Sequence, residues 1–419
     1  MDESSSQSAE RLEGNLLGWY AVCTSKSLRD DRLYFFSIFN EALVLYRDKG
    51  SRALCVKDFC PHRGASFRGG EVISGEIVCP YHGARFTSES EGNGCIKNRC
   101  QHIVDNAYQA YSSRICLKQY PCIEKGDYIY IYYTGKATIE FDKSKNTSSL
   151  DPLIPELIGF RTSGYAYEEA LLDFKCDWSR IVENHLDILH IFWMHGDTLP
   201  GNDIGRHSIS KFDQKIEVEK KYIRTKYFHK KTDKGEFITQ IFIPPGRIIM
   251  FKGNPETARY IQVLDHIPMS SNRSRVIVRH YRKFLKNRLF CEFILFSLLQ
   301  RRTFYKIFSE DYLVLQTQTF NYQMRYILDK DTKLLGEDRT VKIYWDWYQK
   351  KLETENPWGI HPMPVETNQI HQDLLMVYPP DNLSLQRKND RKIVLVLLKR
   401  VLVIFIICLV VFFAVTYIY

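Results

Sequence analysis

Cys60-Pro61-His62-Arg63-Gly64 and Cys79-Pro80-Tyr81-His82-Gly83 are the two stretches from which the rest of the chain can be read. They offer two soft thiolates and two imidazoles in CxH and CxxH spacing, a donor set suited to a [2Fe-2S] cluster whose second iron is held by histidines. Proline and glycine beside each pair predict tight loops whose backbone comes close to the cluster's sulfides. Two such loops would clamp one cluster. The alternative is a structural zinc site of two cysteines and two histidines, but zinc modules usually space their ligands CxxC and HxxxH.

Around this motif, 419 residues with 44% hydrophobic content provide for two packed domains and a tail. Residues 15–145 read as short alternating strands broken by turns, among them Ala42–Tyr46 and Tyr128–Tyr133, a small all-β module containing the cluster ligands. From 146 to 361 the pattern becomes α+β, with strand-like runs at Phe237–Ile243 and Val276–Tyr281 and helical segments at Trp178–Met194 and Arg302–Tyr326. Residues 1–14 read as a disordered, polar N-terminus and 362–392 as a linker rich in Pro, Asn, Asp and Gln. The segment 393–419 reads as a membrane anchor: Val401–Tyr419 carries no charge and is long enough to span a bilayer as a helix. Lys399, Arg400 and the basic residues before them predict that the bulk of the chain stays on the cytoplasmic or stromal side.

Eleven cysteines without regular pairing do not form a secreted disulfide framework, and Met1–Leu12 lacks the apolar core of a signal peptide. The net charge of +9 suits anionic lipid or an acidic electron carrier. Nucleic acid is the weaker reading, since the basic residues are dispersed and no nucleic-acid-binding motif accompanies them. Most of them read as solvated surface.

A second metal-competent run, Glu183-Asn184-His185-Leu186-Asp187-Ile188-Leu189-His190-Ile191-Phe192-Trp193-Met194-His195, lies in the first predicted helix. At 100° per residue Asn184, His190 and His195 fall within about 80° of Asp187, while the two histidines diverge by about 140°. Shared ligation therefore predicts a distortion near Met194, which Gly196 permits.

The two motifs, in this order, resemble the Rieske non-heme iron oxygenases, whose mononuclear-iron motif ENxxDxxHxxxxH is matched position by position. Cys176-Asp177-Trp178 is similar to the family's Asn-Trp lead-in. The resemblance implies a β domain with the [2Fe-2S] cluster on Cys60, His62, Cys79 and His82, and a helix-grip-type catalytic domain. It further implies mononuclear Fe(II) on His190 and His195, Asp187 as a bridge for electrons and protons between the centres, Asn184 beside the iron, and a homotrimer. High-potential relatives place a disulfide and a sulfide-bonding serine where this chain has Ala65, Tyr81 and Ala84, which points to a low-potential centre.

The iron needs a third, anionic ligand. Asp311 interrupts the apolar helical face of Phe304, Phe308 and Leu315, and its surroundings resemble the family's carboxylate segment; Glu310 is the rival. With no nucleotide or flavin motif in the chain, electrons are expected from a separate ferredoxin or reductase. A C-terminal anchor resembles the branch of the family that contains chlorophyllide a and pheophorbide a oxygenases. It implies a hydrophobic tetrapyrrole substrate, chlorophyllide a first, in a thylakoid or plasma membrane of a cyanobacterium-like organism. The reading from another class is a membrane-tethered redox sensor or assembly subunit. His207, His229, His266 and His280 read as ordinary residues.

Overall fold

The computed structural model describes residues 12–90, 95–102, 116–136, 141–142, 165–196, 212–229, 236–253, 258–283, 306–312, 314–318 and 338–360. The linker and the membrane anchor expected at 362–392 and 393–419 lie outside them. Among the described residues no helix is long and apolar enough to cross a membrane.

The N-terminal module is all-β, as its alternating runs require. Strands β1 (Gly18–Thr24), β10 (Cys122–Lys125) and β11 (Tyr128–Tyr133) form one antiparallel sheet. A second holds β2 (Tyr34–Ile38), β3 (Glu41–Arg47), β4 (Ala53–Lys57) and β9 (Gln119–Tyr120). The third is built from β5 (Glu71–Ile73), β6 (Glu76–Val78), β7 (Arg85–Ser90), β8 (Cys95–His102) and β12 (Phe141–Asp142). Both cysteine loops belong to the seam of the last two sheets: one leaves β4 for β5, the other joins β6 to β7. The core beneath them contains Val44, Tyr46, Leu54, Val56, Phe67, Ile77 and Phe86 together with Cys60 and Cys79.

The second module centres on one antiparallel seven-stranded sheet. Strands β13 (Ala166–Phe174), β14 (Phe212–Val218), β15 (Ile223–His229), β16 (Glu236–Ile243), β17 (Arg247–Phe251), β18 (Tyr260–Ser270) and β19 (Arg273–Arg282) run in the order β13-β19-β18-β17-β16-β15-β14. Side chains alternate between its faces. Ile248, Met250, Leu264, Val276 and Val278 enter the large core shared with the helices, whereas Ile249, Phe251, Val263 and Ile277 pack on the opposite side. Because both faces are covered, β17 is buried throughout and shows no polar alternation.

On the helical side lie α1 (Trp178–Leu186), α2 (His190–Met194), helical residues 306–312 and 314–318, α3 (Arg339–Glu355) and α4 (Pro357–Ile360). The single helix expected over Trp178–Met194 is in fact two. Asp177 starts α1, its carboxylate accepting from Ser179 N at 2.8 Å. At Asp187 the backbone becomes extended (φ −82°, ψ 92°) and its Oδ1 accepts from Leu189 N at 2.9 Å, an aspartate turn that ends the helix.

Several arginines expected at the surface are buried and weld the modules together. Arg279 lies 3.6 Å from the Tyr128 ring centroid and pairs with Glu169 at 2.7 Å. Arg275 holds Asp173 at 2.6 Å and donates to Tyr34 Oη at 2.9 Å, and Arg247 joins Asp265 at 2.6 Å to Tyr130 Oη at 2.9 Å. Each guanidinium is thus paired by charge and stacked or bonded to tyrosines of the β module, the condition under which burying it is tolerable.

Candidate metal centres

The cysteine loops are duplicates in backbone as well as in spacing. Cys60 N donates to Ala65 O at 2.7 Å and Gly64 N to Cys60 O at 2.8 Å; Cys79 N donates to Ala84 O at 2.8 Å and Gly83 N to Cys79 O at 3.0 Å. Both sequences read Cys-Pro-x-x-Gly-Ala, and both glycines sit at positive φ, 79° and 65°, where a β-carbon is disfavoured. Asp58 braces the first loop, accepting from Ser66 Oγ at 2.7 Å and Phe67 N at 2.7 Å.

Cys60 and Cys79 are buried free thiols, while His62 and His82 are half-buried with ring centroids 4.9 Å apart. Two thiolates inside and two imidazoles toward the surface fit a binuclear iron–sulfur cluster held by two cysteines on one iron and two histidines on the other. The four do not form a group closed tightly around one ion, whereas His190, His195 and Asp311 do.

That triad has one donor atom from each residue, all within 4.8 Å of one another. Asp311 Oδ1 lies 3.1 Å from His195 Nε2 and 3.7 Å from His190 Nε2. The histidines converge because the chain breaks before α2, at Asp187–Leu189, and because His195 leaves helical geometry at its end (φ −108°, ψ 9°). The distortion expected near Met194 is therefore mainly upstream. Ring centroids of His190 and His195 are 5.4 Å apart.

Each imidazole is held from behind. His190 Nδ1 donates to Asp187 O, and His195 Nδ1 to Glu310 Oε2 at 2.7 Å, so both rings turn Nε2 toward Asp311, the nitrogen whose lone pair a metal would take in place of a proton. Asn184 Nδ2 donates to Asp311 Oδ1 at 3.4 Å, and its own Oδ1 is buried without a hydrogen-bond partner among the described residues. Two neutral nitrogens, one carboxylate and an orphaned amide oxygen fit a ferrous ion with exchangeable positions. Burial opposes the charged form of His195, but hydrogen bonds and charge from Asp311 and Glu310 prevail and raise its pKa. Burial raises Asp187, with His190 pulling the other way; its side chain stays 33% exposed, and Trp193 of α2 is 58% exposed.

Asp311 and Glu310, adjacent rivals in sequence, separate cleanly: Asp311 is on the inner nitrogen of His195 and Glu310 on the outer. Sequence reading missed Glu310's contact, which pattern alone does not reveal. It also missed His185 and His266. His266 Nδ1 donates to Gly246 O at 2.7 Å, so its Nε2 accepts from His185 Nδ1 at 2.7 Å. His266 is buried, and that burial pushes its pKa down to about 4.

Residues 18–106 match the model of the Rieske [2Fe-2S] domain, and residues 174–338 that of the vanillate O-demethylase oxygenase C-terminal domain. The chain is 28% identical over 218 residues to a vanillate O-demethylase oxygenase subunit of Pseudomonas sp. (strain ATCC 19151), covering 52% of this chain and 55% of that protein. It is 26% identical over 191 residues to the chloroplastic chlorophyllide a oxygenase of Chlamydomonas reinhardtii, covering 46% and 26%. The chain thus spans about half the length, or less, of these curated relatives. Its fold is similar to that of dicamba monooxygenase bound to dicamba, with a TM-score of 0.64 at 16% identity over 81% of this chain and 98% of the other.

Proposed function

This chain belongs to the Rieske oxygenases, joining a Rieske [2Fe-2S] domain to an oxygenase C-terminal domain, and from that premise we propose that it oxidises a hydrophobic small molecule with O2. The observation that carries the reading is the convergence of His190, His195 and Asp311 within 4.8 Å on elements far apart in sequence. A sensor or assembly subunit has no use for that second site.

In this reading Cys60, His62, Cys79 and His82 hold the cluster, and His190, His195 and Asp311 hold ferrous iron. When bound, the two groups supply one-electron transfer and activation of O2. The protein residues do the rest. Asp187 fixes His190 through its main-chain carbonyl and keeps a half-exposed carboxyl at the surface, where it can hold a proton and face an incoming redox partner. Asn184 steadies Asp311 Oδ1.

Partial exposure of Asp187 and of the His62/His82 edge, together with the exposed Trp193, supports a homotrimer in which one subunit's cluster serves its neighbour's iron. A separate ferredoxin or reductase is the proposed electron donor. The uncharged Val401–Tyr419 run supports a membrane anchor and with it an apolar substrate.

For the substrate, the similarity to chlorophyllide a oxygenase and the anchor favour a chlorophyll-type tetrapyrrole, oxidised at the C7 methyl to a formyl group. The match of residues 174–338 to the vanillate O-demethylase domain favours a second reading, oxidative demethylation of a small methoxylated aromatic. The test is expression in a host containing chlorophyll a but no chlorophyll b, followed by pigment chromatography. A new 7-formyl pigment is the expected outcome. Unchanged pigments, with formaldehyde released from a methoxybenzoate by the purified protein, would transfer the assignment to the second reading.

A further inference from the structure

The two candidate histidine ligands are supported unequally, and the difference rests on one residue. Behind His190 the hydrogen-bond acceptor is neutral, the carbonyl of Asp187, and the Asp187 carboxylate stands off at 3.9 Å. Behind His195 stands a carboxylate, Glu310 Oε2, 2.7 Å from Nδ1, while the imidazole itself is 1% exposed. Glu310 and Asp311 are neighbours in the helical stretch 306–312, yet they grip opposite nitrogens of the same ring.

Resting on the oxygenase reading above, we propose that Glu310 is a positioning residue of the mononuclear site, fixing His195 as its Nδ1–H tautomer and raising the donor strength of Nε2. First, geometry: a hydrogen bond at Nδ1 leaves the lone pair on Nε2, which faces Asp311 Oδ1 at 3.1 Å, so the ring is set for a metal in both rotation and tautomer. Second, charge: ferrous iron brings two positive charges into a site where His195 and Asp311 are nearly inaccessible, and Asp311 offsets only one. Glu310, hydrogen-bonded at 2.7 Å across one imidazole, contributes to offsetting the other more closely than Asp187, whose carboxylate is 3.9 Å from His190 Nδ1 and one-third exposed. Its remaining oxygen lies 3.7 Å from Lys306, which is 56% exposed and therefore screened by water, so the carboxylate keeps its effect on His195.

The experiment is a ferrous-iron titration of the full chain with its cluster assembled and the mononuclear site stripped, comparing the parent with Glu310→Gln, Glu310→Ala and Lys306→Ala. Glutamine still accepts from Nδ1 but carries no charge, so it should weaken iron binding by about 10-fold, and alanine, which removes both contributions, by about 100-fold, the range for such outer partners. Cluster absorbance and melting temperature should stay at parental values, and Lys306→Ala should bind within about twofold of the parent, as expected for a screened surface pair. Should alanine prevent folding, the glutamine variant decides alone. Parental affinity in the glutamine variant and in any folded alanine variant, or loss of iron only in step with lost melting temperature, overturns the role. If the parent itself takes up no iron beyond its cluster, this role falls together with the oxygenase reading; if the parent binds and the Glu310 variants bind equally, this role alone falls.

Discussion

Around the cluster site, each loop carries its own candidate ligands and backbone bonds within a single run of six residues, Cys60–Ala65 and Cys79–Ala84. Around the mononuclear site, His195 and Asp311 are 116 residues apart and meet only because α1 breaks, α2 turns, and the helical stretch around Asp311 packs back against them. The first site is local and rigid by sequence. The second is assembled by tertiary packing, so it should be lost separately from the first and respond to changes far from its ligands.

The sharpest separation comes from paired substitutions. Cys79→Ser should eliminate the cluster's visible absorption and electron uptake, while His190→Ala should abolish oxygenation and lower bound iron by about one atom per chain with the cluster spectrum intact. Absorption spectra and iron analysis of both variants check this; loss of the cluster signal in His190→Ala would erase the distinction. Next in size, Asp187→Asn keeps the aspartate turn's acceptor and the carbonyl behind His190 but removes the ionisable group. Product formation should fall at least about tenfold with iron content unchanged, a loss of the order typical of a positioned proton-transferring group or an outer partner of a ligand. Equal turnover would mean that Asp187 only shapes the chain break.

Smaller still is the backbone term at the cluster. Gly64 has φ 79°, and a β-carbon there would sit 3.1 Å from the Phe59 ring. Gly64→Ala should therefore destabilise the β module by about 1–2 kcal/mol in denaturant melts, the usual cost of a left-handed conformation for a residue with a side chain. No change would mean that the loop relaxes.

The remaining effect is pH-dependent and belongs to the second module. Burial depresses His266 to about 4, against the Gly246 carbonyl and Asp265, which favour its charged form. A depressed folded-state pKa leaves stability complete above the ordinary histidine pKa of about 6.5 and removes it as the unfolded chain alone takes up the proton, down to about pH 4. Melting temperature should fall across that window, and His266→Gln should flatten part of the fall. His280, pushed by burial and then by Arg282 to about 3, contributes in the same direction and keeps the rest. An identical slope in the variant would contradict the assignment.

What could be read in the sequence follows the same division. The cluster loops are legible because ligand spacing, proline and glycine all sit within a few residues, and the strands expected at Ala42–Tyr46 and Tyr128–Tyr133 because short apolar runs bounded by turn residues mark them directly. The seven-stranded sheet was only partly legible. Its strands show as runs, but their order depends on pairings such as β13 with β19, which no local pattern encodes. The helix break at Asp187 was misplaced because a 100° periodicity continues through it, although an aspartate two residues before an unpaired amide is a turn signal. The buried arginines of the inter-module seam were read as solvated because their tyrosine partners are up to 241 residues away. Asp311 was separable from Glu310 only as an interruption of an apolar face. The contact between Glu310 and His195 is a matter of which nitrogen each carboxylate reaches, and that exists only in three dimensions.

Metal analysis of the anaerobically purified chain, read together with the spectrum of its reduced cluster, tests the claim of two separate iron sites most directly. The account predicts about three irons per chain, two with matching acid-labile sulfide and the reduced-state spectrum of a cluster with one histidine-ligated iron, and one that a chelator removes without disturbing that spectrum. Zinc in place of the sulfide-bridged pair, or two irons with none removable, would contradict it.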